Sequence, residues 1–456
     1  MDTNGNNYFL FFSVISVNLL SFSANAGFSW TSPFLPKLNG HVDPEKNPIP
    51  YEISVVEESW ITTMMNIGAL CGPLCTGQIS RKIGKKMTLV LFSIPVLFSN
   101  IILIFANTVW HFYTSRFLLG LGVGCVYCII PAYVAEISDV PNRGKMGLST
   151  SLINLISHIS VVSIGPYVTI KTFAYLSLIP TILFIVILIP FIPESPYYFV
   201  SRNRMSEAEN ALKKFRQTSN VKLELIEISN SVNETKIEGS FYDIFRTRVV
   251  LKGLVVTVGL IAAQQVCGAQ PLNAYQQEIF RSTSSNIPSE ISVMIVGIFQ
   301  FIPSILIVFI VDKVGRKILL LLSYFGLLLS LITIGIYFYF KEQNFNVDSI
   351  FWVPIASSCL FMASFKLGAG PVAWSYVGEV FPSNLQIYMS SIVTFAMFLF
   401  GIIVTFIFPI MFTYIGTAWT FWIFGVCTAT SIIFIIIKVP EIRGKSFVDI
   451  QMILKK

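Results

Sequence analysis

Apolar positions in this chain run on for about 20 residues at a time, and polar positions are gathered into short clusters between the runs. The runs show no polar stripe of the kind a soluble surface helix needs. About 20 apolar residues span a bilayer core as a helix. Twelve such runs can be marked, near 8–28, 57–79, 87–107, 110–134, 146–168, 172–192, 249–275, 291–311, 317–340, 351–378, 386–411 and 416–438. Inside lipid each segment must satisfy its own backbone groups, so all twelve are predicted to be helices. The first run lacks a basic leader, because residues 1–8 carry only Asp2, and is expected to stay as a span rather than be removed.

The polar clusters alternate in charge. On one side lie Arg81, Lys82, Lys85 and Lys86, then Arg143 and Lys145, the 194–248 stretch, Lys313, Arg316 and Lys317, and the tail with Arg443, Lys445, Lys455 and Lys456. The other side has Lys37, Lys46, Lys171, Arg281 and Lys341, diluted by Asp43, Glu45, Glu52, Glu57 and Glu58. The basic side is expected to be cytoplasmic. An even number of spans then puts both termini there, in a multi-pass protein of the plasma membrane. With 54% hydrophobic and only 12% charged residues, the net charge of +7 reads as topology and contact with anionic lipid. It does not argue for a nucleic-acid partner.

The one long polar stretch, 194–248, has apolar residues at 208, 211, 212 and 215, which is helical spacing. Two or three short amphipathic helices are predicted there, with Ser206 and Glu209 as a capping box. Asn233-Glu234-Thr235 matches a glycosylation sequon but falls on the cytoplasmic side, where it is expected to be idle.

The chain is also doubled. Tyr133-Val134-Ala135-Glu136-Ile137 returns as Tyr376-Val377-Gly378-Glu379-Val380, 243 residues on. Gly84-Lys85-Lys86 answers to Gly315-Arg316-Lys317, and Pro193-Glu194 to Pro440-Glu441. The fold class is therefore an all-α membrane protein of two six-helix halves. Residues 1–193 form the first half and 194–248 a linker; 249–440 form the second half and 441–456 a tail. Two similar halves that can rock about a site between them are the usual plan of a transporter.

Catalytic chemistry finds little support. The seven cysteines all sit in apolar runs, and the close pair Cys125 and Cys128 has no second Cys/His pair to complete a metal site. No metal or other cofactor is expected, and no cluster of catalytic groups marks an enzyme. His158 lies mid-run and reads as a hydrogen-bonded structural histidine. Gly120-Leu121-Gly122-Val123-Gly124 follows no strand, so it reads as close helix packing rather than a phosphate loop.

Taken in order, several motifs resemble the sugar porters of the major facilitator superfamily along nearly the whole chain. They are Ser115-Arg116-Phe117-Leu118-Leu119-Gly120, Pro131-Ala132-Tyr133-Val134-Ala135-Glu136 and Pro193-Glu194-Ser195-Pro196 in the first half. The second half adds Gln264-Gln265-Val266-Cys267-Gly268, Asp312-Lys313-Val314-Gly315-Arg316-Lys317 and Gly370-Pro371-Val372-Ala373-Trp374. Gly378-Glu379-Val380-Phe381-Pro382 and Pro440-Glu441-Ile442-Arg443-Gly444-Lys445 complete the set. Trp30-Thr31-Ser32-Pro33 resembles the insect facilitated trehalose transporters within that family.

A sugar is a ring of hydroxyls, each both donor and acceptor, and amide side chains match both functions without charge. Gln264, Gln265, Gln270, Gln300 and Trp374 are the candidate substrate-binding residues; helix–helix hydrogen bonding is the plainer role for the amides. The resemblance implies that Tyr275 closes the outer path. It also implies a cytoplasmic gate network of Arg116, Glu136, Arg143, Glu194, Asp312, Arg316, Glu379 and Glu441, tying the halves together while the site faces out.

Departures from the family pattern include Arg81 in place of an acid, Gln386 in place of Arg, Ser151 in place of Gln, Tyr197 in place of Arg, and no Asn-Trp pair near 394–400. Lys366, inside a span, is either functional or a snorkelling side chain. No acid lies in residues 8–30 or in the middle of any other run. The expectation is therefore passive uniport of a hexose or trehalose by a monomer in the lipid bilayer. A non-transporting sensor, a carrier of another small solute and a proton-coupled symporter remain as alternatives.

Overall fold

The structure, a computed structural model, describes residues 8–39, 47–139, 142–234, 248–283, 286–381, 383–443 and 452. The first half holds α1 Tyr8–Ser29, α2 Val55–Ile83, α3 Lys85–Ile104, α4 Val109–Ile137, α5 Arg143–Ile164 and α6 Ile170–Phe191. The second half begins with α7 Arg248–Val266, followed by two single turns, Ala269–Ala274 and Gln276–Arg281. Then come α8, broken at Gln300 into Ser289–Phe299 and Phe301–Val314, and α9 Arg316–Glu342. The next span, α10, is Val353–Ser364, one wide turn Phe365–Ala369, and Pro371–Val380. The last two spans are α11 Ser383–Tyr414 and α12 Thr417–Lys438. A short helix, Thr31–Leu38, caps the end of α1.

Eleven of the described helices are long and apolar enough to cross a membrane, and α2 is the bundle helix outside that group. It is long enough at 29 residues, but Thr62, Thr63 and Asn66 lower its hydropathy. It can carry them because it packs on α4 and α11 instead of lipid. Gly68, Gly72, Gly120 and Gly124 bring α2 and α4 into backbone contact. A Cβ on Gly120 would sit 2.1 Å from the Met65 carbonyl oxygen, and one on Gly124 would sit 2.4 Å from that of Ala69. The glycine run is thus a packing face, as expected.

Three short helices follow the first half: Pro196–Ser201, Met205–Arg216 and Lys222–Glu234. Ala208, Ala211, Leu212 and Phe215 are the buried face of the middle one. The predicted capping box is absent, because the helix starts at Met205 and puts Ser206 inside it. Glu209 instead pairs with Lys213 at 2.7 Å. A capping box does form at the start of α2, between Ser54 and Glu57. Thr235 of the sequon lies outside the described residues.

The halves meet along α2 against α11 and α5 against α8. The ends carrying the basic clusters are called the basic face below, and the other the opposite face.

Candidate functional site

Polar groups gather where the spans of the second half are broken. In α10 the Gly370 N–H donates to the Phe365 carbonyl at 2.9 Å, five residues back, which widens the helix by one residue. The Gln264 Nε2 donates to the carbonyls of Ala369 at 3.0 Å and Gly370 at 3.1 Å, at the end of the wide turn. Its amide therefore braces the break. Gln265 and Gln300 are only 6% and 2% exposed, and Gln265 Oε1 and Gln300 Nε2 have no partner among the described residues. A buried polar atom left unpaired costs about 1–3 kcal/mol, so such atoms in a native fold call for a ligand or a functional reason. Trp374 is half-buried against the same core. From the first half, His158 binds Ser29 Oγ through Nδ1 at 2.8 Å, which is the structural role expected of it, while its Nε2 is buried with no partner among the described residues.

Toward the opposite face the halves are closed on each other. Tyr275 is buried, its hydroxyl 2.6 Å from Thr62 Oγ1 and its ring stacked on Phe408. Asn66 Nδ2 donates to Thr405 Oγ1 at 3.1 Å, and Gln270 Nε2 donates to Asn66 Oδ1 at 2.8 Å. Thr63 and Thr405 add a further hydroxyl contact between the halves, at 3.5 Å. Outside this layer a cleft of about 240 Å³ is lined by Asn39, Glu58, Tyr275, Glu278 and Phe408.

At the basic face the sequence repeat becomes a repeated structure, one copy in each half. Gly84 and Gly315 both have positive φ, 90° and 101°. Each swings the chain into the next helix, whose first N–H groups need acceptors. Glu194 accepts from the Lys85 N–H at 3.1 Å and the Lys86 N–H at 2.9 Å. Glu441 accepts from the Arg316 N–H at 3.1 Å and the Lys317 N–H at 3.0 Å. The carboxylates thus cap α3 and α9, where the helix dipole favours negative charge. The tyrosines of the repeat finish each frame, Tyr133 donating to the Pro193 carbonyl at 2.6 Å and Tyr376 to that of Pro440 at 2.8 Å. Lys85 pairs with Glu136, and Arg316 with Glu379 at 3.2 Å. Burial pushes the Glu194 carboxyl above its ordinary value, the Ser195 and Lys86 N–H groups pull it down, and nearby Glu136 adds a small rise.

Residues 16–454 match the family model described as "Sugar (and other) transporter". The chain belongs to that family. A facilitated trehalose transporter of Polypedilum vanderplanki is 30% identical over 96% of this chain and 86% of its own length. One from Anopheles gambiae is 30% identical over 96% of the chain and 55% of that longer protein. A partially occluded, inward-open structure of the xylose transporter XylE from E. coli superposes with a TM-score of 0.80 at 22% identity, covering 96% of this chain and 99% of that one. This sugar porter is a multi-pass membrane protein with the major facilitator fold, and a transporter rather than an enzyme.

For this sugar porter one residue of the expected gate network lies elsewhere. Arg116 is near the start of α4, twenty residues and about 30 Å from Glu136 along one helix. It is 2% exposed, donates to the carbonyls of Gly27 at 2.5 Å and Ile61 at 3.4 Å, and lies over Trp30 at 5.3 Å. It clamps α1, α2 and α4 toward the opposite face and takes no part in the basic-face frames. Glu136, Glu194, Arg316, Glu379 and Glu441 do lie in those frames, with each pair inside one half. The side chains of Arg143, Asp312 and Gln386 lie outside the described residues.

Asn66, Thr62 and Thr405 join the halves and were missed. Thr62 and Asn66 are four apart on α2, one face of a helix, and that polar stripe in an apolar run was the available signal. Replacing Tyr275 with Phe removes the hydrogen bond to Thr62 and keeps the ring stack. It should loosen the closed side by about 1 kcal/mol, or about fivefold in the balance of states. Labelling, from the opposite face, of a cysteine placed beneath this layer should rise by that factor, and unchanged labelling would show that this hydroxyl does not hold the closure.

Proposed function

We propose that this sugar porter is a passive carrier that lets a sugar flow down its gradient by alternating access, with hexose and trehalose the first candidates. The basic face is cytoplasmic and the membrane is the plasma membrane. The observation that carries the reading is the pair of buried, unpartnered amide atoms on Gln265 and Gln300, set beside a helix break at mid-bundle. A hydroxyl can satisfy either atom, and neutral bonds release the ligand as readily as they take it.

The sugar enters from outside when the layer of Tyr275, Gln270, Asn66 and Thr405 separates. It settles among Gln264, Gln265, Gln300 and Trp374. The layer then closes over it and the basic-face ends part. With Lys85–Glu136 inside one half and Arg316–Glu379 inside the other, the two frames can separate as intact blocks. Passive flow fits the carboxylates of the described spans. Glu57, Glu58, Glu136, Glu290, Glu342 and Glu379 all sit in the end turns, and none is placed mid-span to carry a proton.

Uptake of labelled glucose and trehalose into vesicles holding the protein tests this. Uptake should follow the sugar gradient alone. Loss of uptake on collapsing a proton gradient, with the sugar gradient held, would make the protein a symporter instead. Replacing Gln265 with Leu removes about 1.5 kcal/mol of hydrogen bonding and should weaken transport about tenfold. Equal transport at equal surface expression would remove Gln265 from the site.

A further inference from the structure

Lys366 sits in the wide turn of α10, with Val353–Ser364 on one side and Pro371–Val380 on the other. At 1.5 Å per residue it is about 20 Å from either end of the span. A lysine near a span end can snorkel to the headgroups; this one is too deep to do so. It is partly accessible, and the turn that carries it packs on α8 and α9 within the second half. Among the described residues it has no ion-pair partner.

The carboxylates of the neighbouring spans are engaged elsewhere. Glu290 accepts from Gln277, Glu342 caps the start of α12, and Glu379 pairs with Arg316. Asp312 is in the last turn of α8, at the basic end. The turn that carries Lys366 is itself met by uncharged hydrogen-bonding groups. Gln264 holds the carbonyls of this same turn, and the second piece of α8, which Gln300 opens, packs against it. His158 on α5 feels the charge of Lys366, and its Nε2 is buried with no partner among the described residues.

A neutral sugar closed into this space would bury an ammonium with nothing to balance it, which is costly in a dry interior. We propose that the preferred substrate is a sugar bearing one carboxylate, such as a hexuronate or aldonate, with that carboxylate against Lys366 and its hydroxyls on Gln265, Gln300 and His158. One cation matches one negative charge. A phosphate ester carries about two and favours the forked donors of arginine, which this turn lacks. The inference rests on the reading of the chain as a sugar carrier and narrows which sugar it carries.

The test uses the purified full chain in liposomes, with labelled D-glucuronate, D-glucose and trehalose offered at equal concentration. The wild type should take up glucuronate at least tenfold faster than glucose. Lys366→Gln should lower the ratio of glucuronate to glucose uptake at least tenfold, and Lys366→Arg should restore part of it. A melting curve of each purified variant separates misfolding from altered choice. Wild-type uptake of glucose or trehalose without glucuronate would overturn the inference and leave the passive carrier standing, as would an unchanged ratio in a folded Lys366→Gln protein. Saturable uptake of none of the three by folded wild type would overturn both.

Discussion

Replacing Gly84 with Ala should destabilise the basic-face frame of the first half by more than about 3 kcal/mol. Two costs add. At φ 90° and ψ 163° the backbone lies where only glycine is comfortable, and strain there is of order 1–3 kcal/mol. The new Cβ would also stand 2.2 Å from Glu194 Oε2 and 2.6 Å from its carboxyl carbon. The carboxylate would have to leave, and it accepts from the N–H groups of Lys85, Lys86 and Ser195. Hydrogen bonds to a charged group are worth about 1.5–3 kcal/mol each, so losing even one adds substantially to the strain.

The twin glycine gives an internal control. A Cβ on Gly315 would stand 2.9 Å from Glu441 Oε2, close enough to press on the carboxylate without evicting it. Gly315→Ala should therefore pay the backbone strain and keep most of the cap. The melting temperatures of the two purified variants should fall in the order wild type, Gly315→Ala, Gly84→Ala. Equal melting of Gly84→Ala and wild type would mean that the carboxylate cap does not hold this corner.

The second large effect is expected at Arg116. Its guanidinium donates to the carbonyls of Gly27 on α1 and Ile61 on α2, and it covers the face of Trp30, which stacks on Phe34 at 5.2 Å. Arg116→Ala removes a charged donor from two buried carbonyls, at about 1.5–3 kcal/mol each, in a place water does not replace. Removing the buried charge recovers part of its desolvation cost, so a net loss of about 2–4 kcal/mol is expected. Arg116→Lys should fall between, since an ammonium cannot hold two carbonyls in a fork and stack on indole together. Thermal unfolding and surface expression are the measurements. A variant with alanine here that melted with the wild type would show that the clamp is dispensable. Its effect belongs to stability and the closed side, not to the parting of the basic-face ends.

Both residues were singled out by motif, yet only one role was legible. The repeat at Gly84 and Gly315 keeps its partners in sequence order within each half, and a doubled sequence with doubled spacing folds into doubled contacts. Arg116 stands in a motif whose other charged members lie at the basic face, and linear order does not say at which end of a 29-residue helix a side chain acts. Depth does, and depth comes from the spans on either side. Gln264 gives the same lesson. The amide pair was visible as costly polarity in an apolar run, but one amide braces the broken α10 and its neighbour is left with a free oxygen. A one-residue step along a helix turns the side chain by about 100°, so which of two adjacent amides faces the gap depends on the packing of α7 against α10.

The apolar runs alone determined that this chain spans a membrane as a bundle of helices, because lipid leaves the backbone no other way to satisfy its polar groups. The basic clusters and the repeat determined its symmetry and the two frames at the basic face. Only the tertiary structure decided which groups remain unpaired. Lys366 read equally well as a snorkelling side chain or a functional one until the span around it set its depth. Gln265, Gln300 and His158 became candidates only once the packing of helices from both halves left each with a buried atom that has no partner among the described residues. Hydrogen-bond satisfaction is a property of all neighbours at once, and those neighbours come from segments more than 100 residues apart.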